Sequence, residues 1–146
     1  MSVDTAADNA YDCALRALHH RDRTEHEIDE HLRDRGFSEA ECAQALDTLR
    51  RTGLVNDERF AQARAESLAE RGAGNALIRA RLVEAGIARE LLDDALDAVE
   101  PENARARLIV ERRGASQKTA RYLYRKGFSD PVIRAAVADG GDGGLG

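Results

Sequence analysis

Three copies of one short pattern constrain this chain more than any other feature. They read Leu32-Arg-Asp-Arg-Gly36-Phe37-Ser38, Leu82-Val-Glu-Ala-Gly86-Ile87-Ala88 and Leu123-Tyr-Arg-Lys-Gly127-Phe128-Ser129. In each, a glycine follows a leucine by four residues and a large apolar residue follows the glycine. The register continues downstream. Six positions past the glycines stand Cys42, Leu92 and Ile133; nine and ten past stand Ala45-Leu46, Ala95-Leu96 and Ala136-Val137. Self-similarity at intervals of 40–50 residues is the mark of one helical unit stacked on itself. Chains of that kind bind long or repetitive partners more often than they catalyse.

Local signals place the helices. A first helix is predicted over residues 10–20, with Cys13, Ala14, Ala17 and Leu18 on one face. Thr24-Glu25-His26-Glu27 and Ser38-Glu39-Ala40-Glu41 are capping boxes, in which a hydroxyl and a glutamate satisfy each other's end of the first turn. The first box opens a helix carrying Ile28 and Leu32 that stops at Gly36; the second opens one carrying Cys42, Ala45, Leu46 and Leu49 that stops at Gly53. Asn56, with Asp57 and Glu58 behind it, starts the next helix. Arg71-Gly-Ala-Gly74 breaks it, Ile78 and Leu82 mark another that ends at Gly86, and Leu91 to Leu96 mark a third, closed by Glu100-Pro101. Helices follow over 102–113 and 117–126, and from Ser129 onward with Pro131 in the first turn. The fold class is therefore all-α: an elongated array of three tandem three-helix repeats, helix-turn-helix-like, over residues 10–53, 54–100 and 101–138. Residues 1–9 are expected to be a disordered tail. Residues 139–146, with five glycines, are expected to be a flexible tail unable to hold helix.

The core has few materials. Aromatics are 4% and tryptophan is absent, so it must be built from Leu, Ala, Ile and Val. Charged residues reach 34%, above the roughly 25% of an average domain, which suits much exposed surface. The net charge of −5 is unevenly spread: residues 1–53 carry 7 bases and 12 acids, 54–100 carry 6 and 10, and 101–146 carry 9 and 5. An acidic chain with a basic end suits a partner of mixed character. No stretch is apolar enough to span a membrane, and the N-terminus lacks the pattern of a signal peptide. Two cysteines without a disulfide framework point to a reducing, cytoplasmic setting. A monomer is expected.

Metal chemistry is disfavoured. Four histidines fall within residues 19–31, near Cys13 and Cys42, but His26 and His31 are five apart, about 140° around a helix, where a zinc helix needs i, i+4. Cys42 takes a stripe position held by Leu92 and Ile133, as a core residue would. The Arg71–Gly74 loop lacks the strand, Lys and Ser/Thr of a phosphate loop. No cofactor is expected. The basic stretch of the third repeat is the sharper candidate: Arg105, Arg107, Arg112, Arg113, Lys118, Arg121, Arg125 and Lys126 surround Tyr122 and Tyr124. Arg121 and Arg125 share a helix face, arginines pair with phosphates, and tyrosines stack on bases. Arg71, Arg79 and Arg81 form a smaller set in the second repeat.

Taken in order, these segments resemble the RecX family, the regulators of the RecA recombinase. Gly53-Leu-Val-Asn56-Asp57-Glu58-Arg59-Phe60-Ala61 is similar to the family's most distinctive segment. Arg71 to Leu82 with Gly86-Ile87 resembles its second unit, and Gln117-Lys118 with Arg121 to Phe128 its third. On that resemblance Gly36, Phe37, Asn56, Asp57, Phe60, Gly86, Ile87, Gly127 and Phe128 are structural motif residues. Ala63-Arg64-Ala65 and Cys42 depart from the family pattern as packing variants. The resemblance implies a curved, non-enzymatic protein that lies in the groove of RecA filaments on single-stranded DNA. There it would restrain ATP hydrolysis, strand exchange and filament growth, tuning repair and the SOS response. The basic and Tyr124 positions named above are then the candidate filament and DNA contacts. Two other classes remain open at the level of sequence: a general single-stranded nucleic-acid binder acting without RecA, and a metal-dependent enzyme built on the His/Cys cluster.

Overall fold

The computed structural model describes residues 9–145, with side chains described to residue 141. The described residues form helices and no strand: α1 Ala10–His20, α2 Glu25–Asp34, α3 Glu39–Arg51, α4 Asp57–Glu70, α5 Asn75–Glu84, α6 Arg89–Ala98, α7 Glu102–Arg113, α8 Gln117–Arg125 and α9 Asp130–Leu145. Three helices fall in each of three consecutive repeats, as the sequence periodicity requires. Packing groups them differently: residues up to Phe60, joined by Ala85–Ile87, make one compact unit, and Ala61–Glu84 with the residues from Ala88 onward make a second.

The first unit is closed by local chemistry. Both predicted capping boxes form: Thr24 Oγ1 accepts from the Glu27 amide while Glu27 accepts from that of Thr24, and Ser38 and Glu41 do the same. Of the expected N-terminal tail, residues 1–8 lie outside the described residues. Asn9 does not belong to a tail: its Oδ1 accepts from Asp12 N–H at 2.8 Å and caps α1. Gly36 sits at φ +90°. That conformation lets Gly36 N–H reach Arg33 C=O at 2.9 Å and Phe37 N–H reach Leu32 C=O at 3.2 Å, which ties off α2. Ile28, Leu32, Cys42, Leu49 and Val55 form the core with alanines of α1, and Phe37 packs against it. Burial pushes the Cys42 thiol up, as suits a packed apolar group. Asn56 caps α4 by accepting from Arg59 N–H at 3.0 Å, and Asp57 Oδ1 accepts from Glu25 N–H at 2.9 Å.

In the second unit Ala106, Val110, Leu123, Phe128, Ile133 and Ala136 make one core beneath α7, α8 and α9. The last helix corrects the expectation for the C-terminus: α9 runs through the glycine-rich segment to Leu145. Glycine costs about 1 kcal/mol relative to alanine in a helix, and close packing opposes that cost here. A Cβ on Gly140 would lie 2.5 Å from Val110 Cγ1, so its absence lets α9 come close to α7. Gly146 lies outside the described residues.

The repeated glycine has a second task beyond ending a helix. The carbonyl of Lys126 accepts from Gly74 N–H at 2.7 Å, and that of Gly127 accepts from Ala76 N–H at 3.1 Å. The third repeat's glycine turn thus sits on the start of α5, the second helix of the preceding repeat. A Cβ on Gly74 would stand 2.4 Å from the Gly127 carbonyl carbon, so only glycine fits. The Gly86 turn repeats the arrangement one repeat earlier. There Thr24 Oγ1 donates to Ala85 C=O at 2.5 Å, and a Cβ on Gly86 would lie 2.3 Å from His26 Cβ. Thr24 is completely buried. Replacing its hydroxyl by a methyl (Thr24→Val) leaves the Ala85 carbonyl and the Glu27 amide in the first turn of α2 short of partners. It is expected to lower stability by about 2 kcal/mol, and an unchanged urea midpoint would contradict the role given to the hydroxyl.

Candidate functional site

The third repeat gathers its charge where α8 begins and runs. Ser116 caps α8, its Oγ accepting from Thr119 N–H at 3.2 Å, which fixes the helix phase. With that phase Gln117, Lys118, Arg121, Tyr124 and Arg125 line one cleft of about 710 Å³, whose other wall carries Asp130 and Ile133 of α9. Tyr124 is the most exposed of the large apolar side chains described, at 68%. The i, i+4 reading of Arg121 and Arg125 therefore holds: both face the same cleft.

The remaining candidates separate into distinct surroundings. Arg113 lays its guanidinium over the Tyr122 ring, 3.5 Å from the centroid, a cation–π contact. The half-buried Lys126 stem and the Tyr122 hydroxyl both lie beside Gly72. Arg107 is exposed on α7 and Arg71 at the end of α4. Arg112 is exposed at a different cavity, of about 620 Å³, shared with Glu66, Glu70, Glu100 and Leu108.

One candidate proves to be internal. Arg105 is 7% exposed. Its Nε donates to Glu100 C=O at 2.7 Å, its Nη1 to Ala73 C=O at 2.6 Å, and its Nη2 to Asn75 Oδ1. The guanidinium also lies 5.9 Å from the Phe128 ring centroid. Burial pulls its pKa down, against the opposing pull of Glu102 and Glu100. A guanidinium with all its edges engaged cannot reach an external phosphate, so Arg105 is a tie between the start of α5 and α7. In sequence it is indistinguishable from Arg107; only the two-residue offset, which turns it to the other side of α7, separates them.

Charge pairing divides the cations by repeat. Arg33 pairs with Asp29, Arg50 with Glu25 and Arg51 with Asp47 in the first repeat. Arg79 pairs with Asp93 at 3.2 Å and Arg81 with Glu84 at 3.6 Å in the second. Among the described residues no such pair engages Arg107, Arg112, Lys118, Arg121 or Arg125. Among the described residues, no group of three His, Cys, Asp or Glu side chains is placed to hold a metal ion. No helix is long and apolar enough to cross a membrane among them.

Known proteins give this geometry its context. Residues 10–49 match the family model for the first three-helix domain of RecX, and residues 56–96 match that for the second. A regulatory protein RecX of Halorhodospira halophila is 35% identical over 149 residues, covering 94% of this chain and 92% of that protein. One of Geobacillus kaustophilus is 34% identical over 145 residues, and there the chain spans only 54% of its relative's length. Among solved structures, the crystal structure of RecX from Lactobacillus salivarius superposes with a TM-score of 0.77 at 22% identity. The match covers 89% of this chain and 93% of that one, a likeness of fold. A second crystal structure, of a regulatory protein RecX, gives 0.74 at 28% identity over 87% of this chain and 70% of its own. Two domain models matched in order, and a relative of such identity over nearly its full length, place the chain in the RecX family.

Proposed function

We propose that the protein is a non-catalytic regulator that binds RecA filaments on single-stranded DNA and restrains their ATP hydrolysis, strand exchange and growth. That activity would tune recombinational repair and the SOS response in the cytoplasm. The supporting observation is the set of cations in the third repeat that, among the described residues, have no acidic partner. Lys118, Arg121 and Arg125 share a cleft with the exposed ring of Tyr124. Free guanidinium groups offer paired donors to phosphate oxygens, and an exposed tyrosine among them offers a stacking face to a base. Arg107, Arg112, Arg113 and Lys126 would extend this surface, whereas Arg71, Arg79 and Arg81 would contribute less, the last two being neutralised by Asp93 and Glu84. The excess of acids elsewhere suits contact with protein rather than with bare nucleic acid.

The test is RecA-dependent ATP hydrolysis on single-stranded DNA, titrated with this protein and with a double variant, Arg121→Glu with Arg125→Glu. A hydrogen bond to a charged group contributes about 1.5–3 kcal/mol, so the variant is expected to need roughly tenfold more protein or greater for equal inhibition. Its helical circular dichroism should be unchanged. Equal inhibition by the variant would remove these residues from the contact surface, and no effect of the wild-type chain on hydrolysis would remove the RecA reading. The exposed Tyr124 also favours a second reading, a general single-stranded nucleic-acid binder. Tight binding to naked DNA with steep salt dependence, and no dependence on RecA, would select it.

A further inference from the structure

A second cleft in the same compact unit carries the opposite charge to the one on α8. Its cavity of about 620 Å³ is lined by α4, by α7 and by the link before α7. Helix α4 contributes Glu66, Ala69 and Glu70, and α7 contributes Leu108, Ile109 and Arg112. Spacings of three and four residues put each set on one face of its helix. Val99 and Glu100 come from the link between α6 and α7. Ala69, Val99, Leu108 and Ile109 make the lining partly apolar, and Leu108 stays 43% exposed there. The charges are Glu66, Glu70 and Glu100 against Arg112. Arg105 also borders the cavity, but its guanidinium is engaged by Glu100 C=O, Ala73 C=O and Asn75. Among the described residues no ion pair engages Glu66 or Glu70.

We propose that this cleft receives a basic amphipathic helix of another protein. Apolar side chains of that helix lie against Leu108 and Ile109, and its lysines or arginines face Glu66 and Glu70. The walls select a helix. Both are helices themselves, with backbone groups already bonded, so they offer no strand edge, and a segment laid there must satisfy its own backbone. The α4 face from Gln62 to Glu70 runs about 12 Å, roughly two turns, which gives room for apolar side chains at i and i+4. The unpaired carboxylates beside apolar surface set the sign of the flanking charges. A second copy of this chain fits less well. Its basic helix α8 buries Thr119 and Leu123 in its own core and leaves Tyr124 as its exposed anchor. The inference goes beyond the RecA reading, uses a different surface from Arg121 and Arg125, and needs neither RecA nor DNA for its test.

The probe is a fluorescently labelled, alanine-rich peptide of about 15 residues, near the shortest length that holds helix in water. It carries two leucines at i and i+4 with lysines on either side. Fluorescence anisotropy with the full chain is expected to show saturable binding below about 1 mM that weakens as salt rises. The same peptide with glutamate for every lysine should bind at least about tenfold more weakly. Glu66→Gln with Glu70→Gln should weaken the lysine peptide roughly fivefold. Leu108→Gln changes no charge and suits an exposed helix position. It should weaken the peptide roughly tenfold with the circular dichroism unchanged. No binding of the lysine peptide below about 1 mM, equal binding of the two peptides, or binding undiminished by Leu108→Gln would each overturn the proposal. Self-association in sedimentation velocity that Leu108→Gln abolishes would put a second copy in the cleft and overturn it as well. Inhibition of RecA is a separate measurement, so either proposal can fail alone.

Discussion

Gly74→Ala is expected to melt the second unit far below the wild-type temperature. The new Cβ would lie 2.4 Å from two backbone atoms, the Gly127 carbonyl carbon and the Phe128 nitrogen, and backbone cannot swing aside as a side-chain tip can. Relief requires opening the joint, with loss of the Gly74 to Lys126 and Ala76 to Gly127 hydrogen bonds. The cost is roughly 3 kcal/mol or more, equivalent to a fall of about 12 °C or more in Tm for a domain of this size. Gly74 has no positive φ, so its substitution isolates the steric effect. Gly36→Ala is the matched control: it meets open space and suffers only the left-handed backbone penalty of about 1–2 kcal/mol. Differential scanning calorimetry of the two variants reads the contrast directly. Equal melting of Gly74→Ala and wild type would mean that the joint is not closed as described.

Arg105→Ala is expected to be the most damaging change at any of the basic positions, and through stability rather than binding. It strips donors from the Glu100 and Ala73 carbonyls and from Asn75 Oδ1, with Ala73 itself buried. Acceptors left without partners in the interior cost about 1–3 kcal/mol each, and partial relaxation brings the expected loss to roughly 3 kcal/mol. Arg105→Lys keeps the charge, but a compact ammonium cannot span three acceptors set around a planar fork. Chemical denaturation should therefore place the lysine variant nearer to alanine than to wild type. A lysine variant as stable as wild type would reduce Arg105 to a mere buried charge. Below its melting range, either variant should inhibit RecA as the wild type does.

Those two residues also mark where sequence stops being legible. Boundaries set by local chemistry could be read directly. The Thr24 and Ser38 boxes formed as written, and the helix predicted over 102–113 is α7. The phase of α8 followed from local pattern too, which is why Arg121 and Arg125 were correctly put on one face. What failed depended on contacts distant in sequence. Arg105 is held by Ala73 and Asn75, some thirty residues away, and Arg79 is neutralised by Asp93 on another helix. The glycine-rich terminus has poor helix propensity, and only its approach to Val110 explains why α9 passes through it. Gly74 looked like half of a loop because its neighbour across the joint lies fifty residues on.

The joint at Gly74 has a consequence for how such chains change over generations. The hydrogen bonds of Gly74 and Ala76 run from backbone to backbone, and the chief steric demand there is that a side chain be missing. A fit made by backbone and an absent side chain survives duplication more easily than one made by a matched pair of side chains. Length can then drift by whole repeats while the outward residues of each copy diverge under separate selection.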